Sequence, residues 1–511
     1  MAQQNAVIVG GGIGGLVAGA LLARYGWKVT ICESHSIAGG AAHAFERDGY
    51  SFDSGPSFFC GLGDRNSLNP LRQVLDVLGE SVEAIAYDPL GHYHFPEGTF
   101  PVYGNLERYR AAVETITPNG AQELQQFARE MLQLYNALSQ VPTLHLRGDW
   151  RVFPTLFSRY LPAMAQLLPQ LTAVQGSVGD VVNRTVSDRW VRRLIDLECF
   201  LLSGLKAEGT VTPEMAFMYG ERDRSVIDYP VGGSGAIVAA LVRGLEKYGG
   251  SLRLRSHVNR ILVENRRAVG VELKGGETVL ADIVISNATM WDTAQHLIDP
   301  QHLPERERTL AETTEAVPSF MHLHLGIRAD GLEDLTGHHV VVHDRERDIA
   351  EPGNTCMISI PTVWDSRMAP AGHHAVHAYT LEPYAGWEYG GNYADQKRAK
   401  AQVLYRALER VIPDIRDRVT LELIGTPLTH GRFLRRYQGT YGPAIPPDRG
   451  MFPGCKTSIE NLYRVGDSTM PGIGVPAVAA SGILCANALV PTQQTNQLMR
   501  ELQTLQKQGA S

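Results

Sequence analysis

The first 33 residues constrain the fold most strongly. Ala6–Val9 is a short apolar run typical of a β-strand, and it leads into Gly10-Gly11-Gly12-Ile13-Gly14-Gly15, which satisfies G-x-G-x-x-G. An apolar helical pattern follows as far as Gly26, and Lys28–Cys32 is typical of a second strand that ends at Glu33. This strand–turn–helix–strand–acid order is the context that identifies a dinucleotide-binding unit.

Each part of this unit has a physical role. The first motif glycine permits a tight turn, the second lets a diphosphate approach the backbone, and the third lets the helix pack closely on the strand. The start of the helix offers free N–H groups and a partial positive charge. Glu33 lies 18 residues beyond Gly15 and is placed to accept hydrogen bonds from the ribose of an adenosine. The predicted contacts in the turn are Gly10, Gly12, Ile13, Gly14 and Gly15.

A second signature follows the first. Gly39-Gly40 stands six residues after Glu33, and the run from Phe45 to Pro56 reads FERDGYSFDSGP. Together they resemble the amine-oxidase and phytoene-desaturase superfamily of flavoproteins, whose pattern is E-x5-G-G-(R)-x6–8-G-(Y/F)-x-F-D-x-G. NAD dehydrogenases do not carry it, so the resemblance implies non-covalently bound FAD. It also implies cofactor contacts at Gly39, Gly40, Ala41, Ala42, Pro56 and Ser57.

One position departs from the family pattern. An arginine that often contacts the diphosphate follows the glycine pair in this superfamily, whereas Ala41 stands there in this chain. One phosphate contact must therefore be supplied by another residue.

The C-terminal part of the chain returns to the cofactor. Residues 461–467 read NLYRVGD, a strand ending in Gly466 and Asp467, and Val475–Leu489 has the pattern of an apolar helix. The resemblance implies that Asp467 hydrogen-bonds ribityl or diphosphate-side groups. It also implies that the helix start at Gly474 and Val475 directs N–H groups at the flavin O2 edge, which stabilises negative charge there.

These motifs predict an α/β fold with a Rossmann-like FAD-binding domain of the amine oxidase and phytoene desaturase type. That domain is assembled from residues 1–85, 226–300 and 431–495, and the backbone of Val258 is the adenine contact that the family implies. Residues 86–225 are predicted to form a helical, membrane-associating lid. Within residues 301–430, the stretches from 321 to 380 alternate in a β manner and are followed by a helix from about 394 to 411, which predicts an antiparallel-sheet substrate domain.

Part of the predicted lid mixes aromatic, leucine and arginine residues with repeated prolines, from Trp150 to Leu171. Such a stretch can lie in a membrane interface while its arginines reach towards water. A buried lid helix that lines a hydrophobic tunnel explains the same composition. The two interpretations are compatible, and both stay open at this point.

Several strings are similar to the carotenoid isomerase family: GTPLTHGRFL at 425–434, GTYGP at 439–443 and SNATMWDT at 286–293. The resemblance implies a long conjugated polyene such as prolycopene, isomerised by reduced flavin without net redox change. Bacterial phytoene desaturases and retinol saturases share most of these motifs, so desaturation or saturation is the alternative. Other flavin amine or porphyrinogen oxidases and a non-enzymatic lipid carrier on the same fold are further alternatives.

The candidate catalytic residues are His430 and Arg432, which lie just before the last FAD segment. Purely structural roles compete with this interpretation: a backbone hydrogen bond for His430 and an ion pair for Arg432. His373, His374 and His377 suggest a metal by their proximity, but His374 is out of phase with the other two along a strand. We expect no metal site.

Charge, cysteine spacing and hydropathy argue against other classes of protein. The formal net charge of −7 and the lack of a long basic run argue against nucleic-acid binding. None of the six cysteines forms a C-x-x-C pair, so we expect reduced thiols. We expect neither a signal peptide nor a transmembrane helix, because no apolar run reaches about 18 residues without interruption. With the polyene that the resemblance implies, we expect a peripheral protein on the cytoplasmic side of a membrane. The sequence leaves the oligomeric state open.

Overall fold

A five-stranded parallel sheet forms the centre of the nucleotide-binding part. The structure is a computed structural model that describes residues 3–224 and 227–509. The apolar run Asn5–Val9 is the middle strand, with Lys28–Cys32 paired on one side and Ile283–Ser286 on the other. Ser251–Arg253 and Leu462–Arg464 form the two edges. Stretches that are far apart in the chain therefore build one sheet.

Closely packed helices cover one face of this sheet. Ile13–Arg24 is buried from Ile13 to Ala23, and it crosses the helix Val475–Leu489 without space for a side chain. A Cβ on Gly482 would lie 2.8 Å from the Gly14 carbonyl oxygen, so this crossing requires glycine. The core beneath is completed by Pro70–Leu78, Gly233–Lys247 and Thr492–Gly509.

The last of these helices extends the FAD-binding part beyond the predicted end at residue 495. Leu498 and Leu502 are buried in the same core as the helix Ile13–Arg24, because the helix Thr492–Gly509 turns its apolar stripe inward. On the opposite face of the parallel sheet lies an antiparallel sheet, formed by Val258–Glu264, Arg267–Leu273 and Thr278–Leu280.

The substrate part is built on a seven-stranded sheet. Its first five strands, in spatial order, are Val419–Gly425, Phe320–Arg328, His373–Leu381, Thr355–Ser359 and His338–Val342. Strict alternation divides the side chains between two faces. One face packs on the helix Tyr393–Glu409 through residues such as Leu323 and Ala378, and the other faces the nucleotide-binding part.

The remaining two strands correct the prediction for residues 86–225. Gly91–Phe95 and Gly98–Val102 form a hairpin that pairs with His338–Val342, so this stretch extends the sheet and is not helical. Phe95 and Phe100 account for the difference between the predicted helix and the observed hairpin, because both rings pack on Trp190 with centroids 5.2 and 5.7 Å away. The predicted boundary at residues 225 and 226 lies outside the described residues.

Helices make up most of the rest of the stretch. They bury an apolar core against the hairpin and the adjacent end of the large sheet. Their bounds are Leu106–Glu114, Pro118–Leu138, Val152–Arg159, Leu161–Leu167, Leu171–Gln175, Val178–Thr185, Arg189–Ser203 and Thr212–Asp223.

Short elements connect these parts. The small strands are Ala44–Arg47 with Tyr50–Asp53, Phe59–Cys60 and Ala84–Ala86 with Ile227–Pro230, and Glu315–Ala316 with Pro443–Ala444. The remaining α-helices are Met290–Asp292, Glu305–Thr313, Ile415–Arg418 and Pro427–Leu434. The predicted fold class, a Rossmann-like α/β domain with an inserted antiparallel sheet, is confirmed.

Candidate active site

The glycine motif and the C-terminal Gly-Asp meet at one point. A Cβ on Gly14 would lie 2.8 Å from the Gly466 amide nitrogen, so the two backbones are in direct contact. Asn287 lies between them, and a Cβ on Gly12 would lie 2.7 Å from its Nδ2 atom. The Gly466 N–H donates to the hydroxyl of Ser481 at 2.8 Å, which ties this contact to the helix Val475–Leu489.

Two backbone donors hold the carboxylate of Glu33 in place. Its Oε2 atom accepts from the Gly11 N–H and its Oε1 atom from the His35 N–H, both at 2.7 Å. The side chain is buried; the Ser34 hydroxyl also donates to Oε1 at 3.3 Å, and Oε2 has a further lone pair for a ribose hydroxyl. Val258 is also buried, at the start of a strand that packs close to the same edge of the sheet.

The second signature folds against the glycine pair. A Cβ on Gly55 would lie 2.4 Å from the Ala41 carbonyl oxygen and 4.0 Å from the Tyr441 hydroxyl. The Ser54 hydroxyl donates to the same carbonyl at 3.1 Å, and the carbonyl of buried Ser57 is 3.0 Å from a ring nitrogen of His338. The loop from Gly55 to Ser57, which includes Pro56, therefore lies between the nucleotide-binding part and the large sheet.

The C-terminal side of the site carries charge. Asp467 forms an ion pair with Arg436, and a Cβ on Gly442 would lie 3.6 Å from the Asp467 Cβ atom. At Gly474 the backbone has φ of +97°, and a Cβ there would meet nothing within 4 Å, so there is open space before Val475.

These features fit a flavin dinucleotide. The helices that begin after Gly12 and Gly474 have no side-chain cap, so their first N–H groups remain available to an anion. Glu33 marks the ribose end, and the space before Val475 marks the flavin end. Gly39, Gly40 and Ala42 line the path between them, because a Cβ on Gly40 would lie 3.2 Å from the Gly12 Cα atom.

Histidines cover the large-sheet side of this space. His322 and His324 alternate with buried leucines on one strand, and they pair in register with Tyr379 and His377 on the next. The four side chains share one face, and the His324 and His377 rings stack with centroids 4.2 Å apart. The His322 Nδ1 atom is 2.8 Å from the His377 Nε2 atom, so one ring donates to the other. We name His322, His324, His377 and Tyr379 the histidine face.

His430 joins this face from a different element. The short helix Pro427–Leu434 places its ring 4.4 Å from that of His322 and 5.7 Å from that of Tyr441. The Nδ1 atoms of His430 and His377 are buried and have no hydrogen-bond partner in the described structure. His430 is therefore not satisfied by the backbone at this atom.

Arg432 lies elsewhere. Two residues along a helix turn the side chain by about 200°, so Arg432 is exposed whereas His430 is buried. Its guanidinium lies 5.5 Å from the ring of Phe433, at the rim of a cavity of about 280 Å³ that also borders Asp292 and Tyr384. The structure does not bring the two candidate catalytic residues together.

The histidine face is electrically neutral at neutral pH. Burial, followed by the nearby charge of Arg436, lowers the pKa of His430 to about 3. Burial also lowers the pKa of His324 to about 4 and holds those of His322 and His377 well below the usual range. In the described residues, no group of three or more His, Cys, Asp or Glu side chains has the arrangement of a metal site.

Sequence reasoning missed Asn287 and the histidine face. His322 and His324 stand two residues apart in the run Met321–Ile327, and that spacing on an apolar strand signals one polar stripe on a buried sheet. The contact of Asn287 with two glycine turns has no comparable signal, because it depends on parallel strands that come from distant parts of the chain.

The glycine turn that binds a nucleotide contacts the C-terminal Gly-Asp, and an antiparallel sheet covers the site. This arrangement defines a flavin-dependent oxidoreductase. The chain belongs to the family of flavin-containing amine oxidoreductases, whose model matches residues 13–490. It is therefore an FAD-dependent enzyme of this family, and the predicted cofactor is confirmed. This leaves the alternative of a non-enzymatic lipid carrier without support.

Comparison with individual proteins shows which members of this family the chain resembles. The chloroplastic prolycopene isomerase of Daucus carota is 34% identical over 496 residues, which cover 95% of this chain and 80% of that protein. The neurosporene-forming phytoene desaturase of Cereibacter sphaeroides is 25% identical and is matched over 94% of both chains. A solved oxidoreductase from Methanosarcina mazei has a TM-score of 0.62 at 20% identity, covering 94% of this chain and 99% of that one, which shows the fold alone.

The Glu33 geometry leads to a first prediction. Replacing Glu33 with alanine or glutamine removes the charged acceptor for the ribose, so we expect FAD to dissociate at least about tenfold more readily, the scale of one charge-assisted hydrogen bond. The measurement is FAD fluorescence released on dilution of the holoprotein. Glu46→Gln, at an exposed position nearby, serves as the control. Unchanged retention in Glu33→Gln would contradict the assigned role.

Proposed function

We propose that the chain is an FAD-dependent carotenoid cis–trans isomerase that acts on a poly-cis polyene such as prolycopene, with reduced flavin and no net redox change. The observation that carries this proposal is the 34% identity to a prolycopene isomerase across 95% of the chain. Bound FAD supplies the electron-transfer chemistry that the side chains lack. The protein binds and orients the polyene and excludes water.

The chemistry of the large sheet supports a conjugated hydrocarbon as substrate. The histidine face consists of uncharged aromatic rings, and the apolar side chains Phe320, Met357 and Leu381 continue the same sheet face. An uncharged aromatic surface can contact a polyene without first giving up the strong hydration of a charge. We assign substrate binding to the sheet face that carries these rings, in residues 301–430 and in the hairpin at residues 91–102.

We assign the proton-handling role to His430. Its Nδ1 atom is buried without a partner, so a proton can be held there or passed to a neighbouring group. The low pKa keeps the ring neutral, so one ring nitrogen can donate and the other can accept a hydrogen bond beside an apolar ligand. In an isomerisation the proton returns after the bond has rotated, so the product keeps every atom of the substrate. Arg432 contributes positive charge at the outer rim.

The reaction itself is the direct test. We expect the purified holoprotein, reduced under anaerobic conditions, to convert prolycopene into all-trans lycopene of unchanged mass. Chromatography and mass spectrometry measure the two properties separately. A product that has lost two hydrogens identifies a desaturase, one that has gained two identifies a saturase, and either result contradicts isomerisation. Failure to convert prolycopene in the FAD-loaded, reduced protein contradicts the proposed substrate.

A variant of His430 tests its role. His430→Phe keeps a ring in the stack but removes both nitrogens, so we expect the isomerisation rate to fall by about 100-fold or more, the usual contribution of a positioned acid or base. FAD content and absorbance should stay as in the wild type. The matched control is His94→Phe, because His94 is a buried neutral histidine whose partner His339 lies on the opposite sheet face. Equal rates in both variants would remove His430 from the mechanism.

We also propose that the chain docks on a membrane through the stretch from Trp150 to Leu171. Of 14 exposed large hydrophobic side chains in the described residues, six lie in this stretch: Trp150, Phe153, Phe157, Leu161, Leu168 and Leu171. No acidic residue occurs between 150 and 175, and Arg159 is exposed. Clustered apolar side chains with basic residues suit a lipid interface, where a polyene is dissolved.

No helix in the described residues is both long and apolar enough to cross a bilayer. The proposed contact is therefore tested by flotation with phosphatidylcholine vesicles. We expect the triple variant Trp150→Ser, Phe153→Ser, Phe157→Ser to bind at least about tenfold more weakly, since each large side chain that leaves the lipid forfeits about 1.5–3 kcal/mol. The double variant Leu254→Ser, Leu280→Ser changes exposed residues elsewhere and should bind as the wild type does. Equal flotation of both variants would contradict this surface.

A further inference from the structure

The missing arginine at position 41 leaves a charge problem. An FAD diphosphate carries two negative charges, and the side chains of Glu33 and Asp467 add carboxylates at the two ends of its path. The helix start at Ile13 offers only a partial positive charge. Ala41 contributes none, so a cationic side chain from another element is needed for charge balance.

The segment from Arg432 to Thr440 follows the same path. At one end, the Phe433 ring lies 5.9 Å from the ring of His35, whose backbone N–H donates to Glu33. At the other end, Arg436 forms the ion pair with Asp467. The segment therefore extends from the ribose end of the site to the flavin end, and the diphosphate lies between these ends.

Two consecutive arginines occupy this segment. The Arg436 side chain is only 16% exposed, and its Nε donates to the Thr440 carbonyl at 2.6 Å, which fixes its direction towards Asp467. Arg435 is exposed and stands two residues after Phe433, whose ring contacts that of His35 at the ribose end; its charge also adds to burial in lowering the pKa of His257, the residue before Val258. Arg435 thus lies near the adenosine side and Arg436 near the flavin side.

The backbone of this segment is strained. Arg435 and Gln438 have positive φ values of 52° and 47°, which residues other than glycine rarely adopt. Such strain persists only where the surroundings hold it, and it is concentrated at functional sites. The turn ends the helix Pro427–Leu434 at Arg435, and the chain beyond it carries Arg436 to its ion pair with Asp467.

We propose that Arg435 and Arg436 supply the diphosphate charge that Ala41 does not, so that the cationic contact comes from the C-terminal segment instead of from the glycine pair. Arg436 also neutralises Asp467, which would otherwise repel the flavin-side phosphate. The proposal concerns cofactor binding alone and does not depend on which polyene reacts.

Cofactor retention tests this proposal. We expect Arg435→Gln and Arg436→Gln each to raise the FAD dissociation constant about tenfold, and the double variant about 100-fold, on the scale of one charge-assisted hydrogen bond per residue. The constant is measured from FAD fluorescence after dilution of the holoprotein at low and high salt. Wild-type affinity should fall with added salt, and the double variant should lose most of that dependence. Arg449→Gln, in an exposed ion pair, serves as the control.

Further variants distinguish a loss of positive charge from a loss of correct folding as the cause of weaker FAD binding. Adding Ala41→Arg to the double variant restores the arginine of the family pattern, and we expect it to recover at least about tenfold of the lost affinity. Arg435→Lys with Arg436→Lys keeps the charge and should retain FAD within about threefold of the wild type. The proposal is overturned if the double glutamine variant binds FAD as tightly as the wild type. It is also overturned if neither the lysine variant nor Ala41→Arg preserves or restores binding.

Discussion

The contact between the start of the helix Ile13–Arg24 and Gly466 is the interaction on which the site depends. It joins residues more than 450 positions apart, and it exists because Gly14 and Gly466 lack side chains and Asn287 fills the space between their turns. A larger side chain at any of these glycines would separate the N-terminal strand unit from the helix Val475–Leu489. The uncapped helix starts after Gly12 and Gly474 would then no longer face one ligand.

The site also requires the large sheet. Its side chains alternate between two faces, and this alternation determines what the site can bind. One face is covered by the helix Tyr393–Glu409 and is mainly apolar. The other face carries uncharged histidine and tyrosine rings opposite the loop Gly55–Ser57. A cofactor held by backbone N–H groups therefore lies opposite a surface without formal charge, and this combination suits redox chemistry on an apolar molecule.

The sequence predicted those parts whose signals are local. The strand Lys28–Cys32 and the helix Val475–Leu489 have the bounds that their patterns indicated, because each is an apolar run that begins shortly after a glycine, Gly26 or Gly474. The hairpin Gly91–Phe95 and Gly98–Val102 was assigned to a helical region, because its pairing partner, His338–Val342, lies more than 200 residues further along. The histidine face was missed for a related reason: only the register of two strands shows that His322 and His377 are neighbours.

The site has two halves that differ in charge: a charged half on the nucleotide side and an uncharged half on the polyene side. On the nucleotide side, Glu33, Asp467 and the diphosphate concentrate negative charge, so binding there depends on helix dipoles and on cationic side chains within a few ångströms. On the polyene side, burial keeps His322, His324, His377 and His430 uncharged, so an apolar chain that contacts these rings meets no ion that would have to lose its hydration. Arg436 lies at the boundary, where its charge both pairs with Asp467 and helps to keep His430 neutral. The two halves are therefore coupled electrostatically, because the charge of Arg436 near the cofactor also contributes to the low pKa of His430.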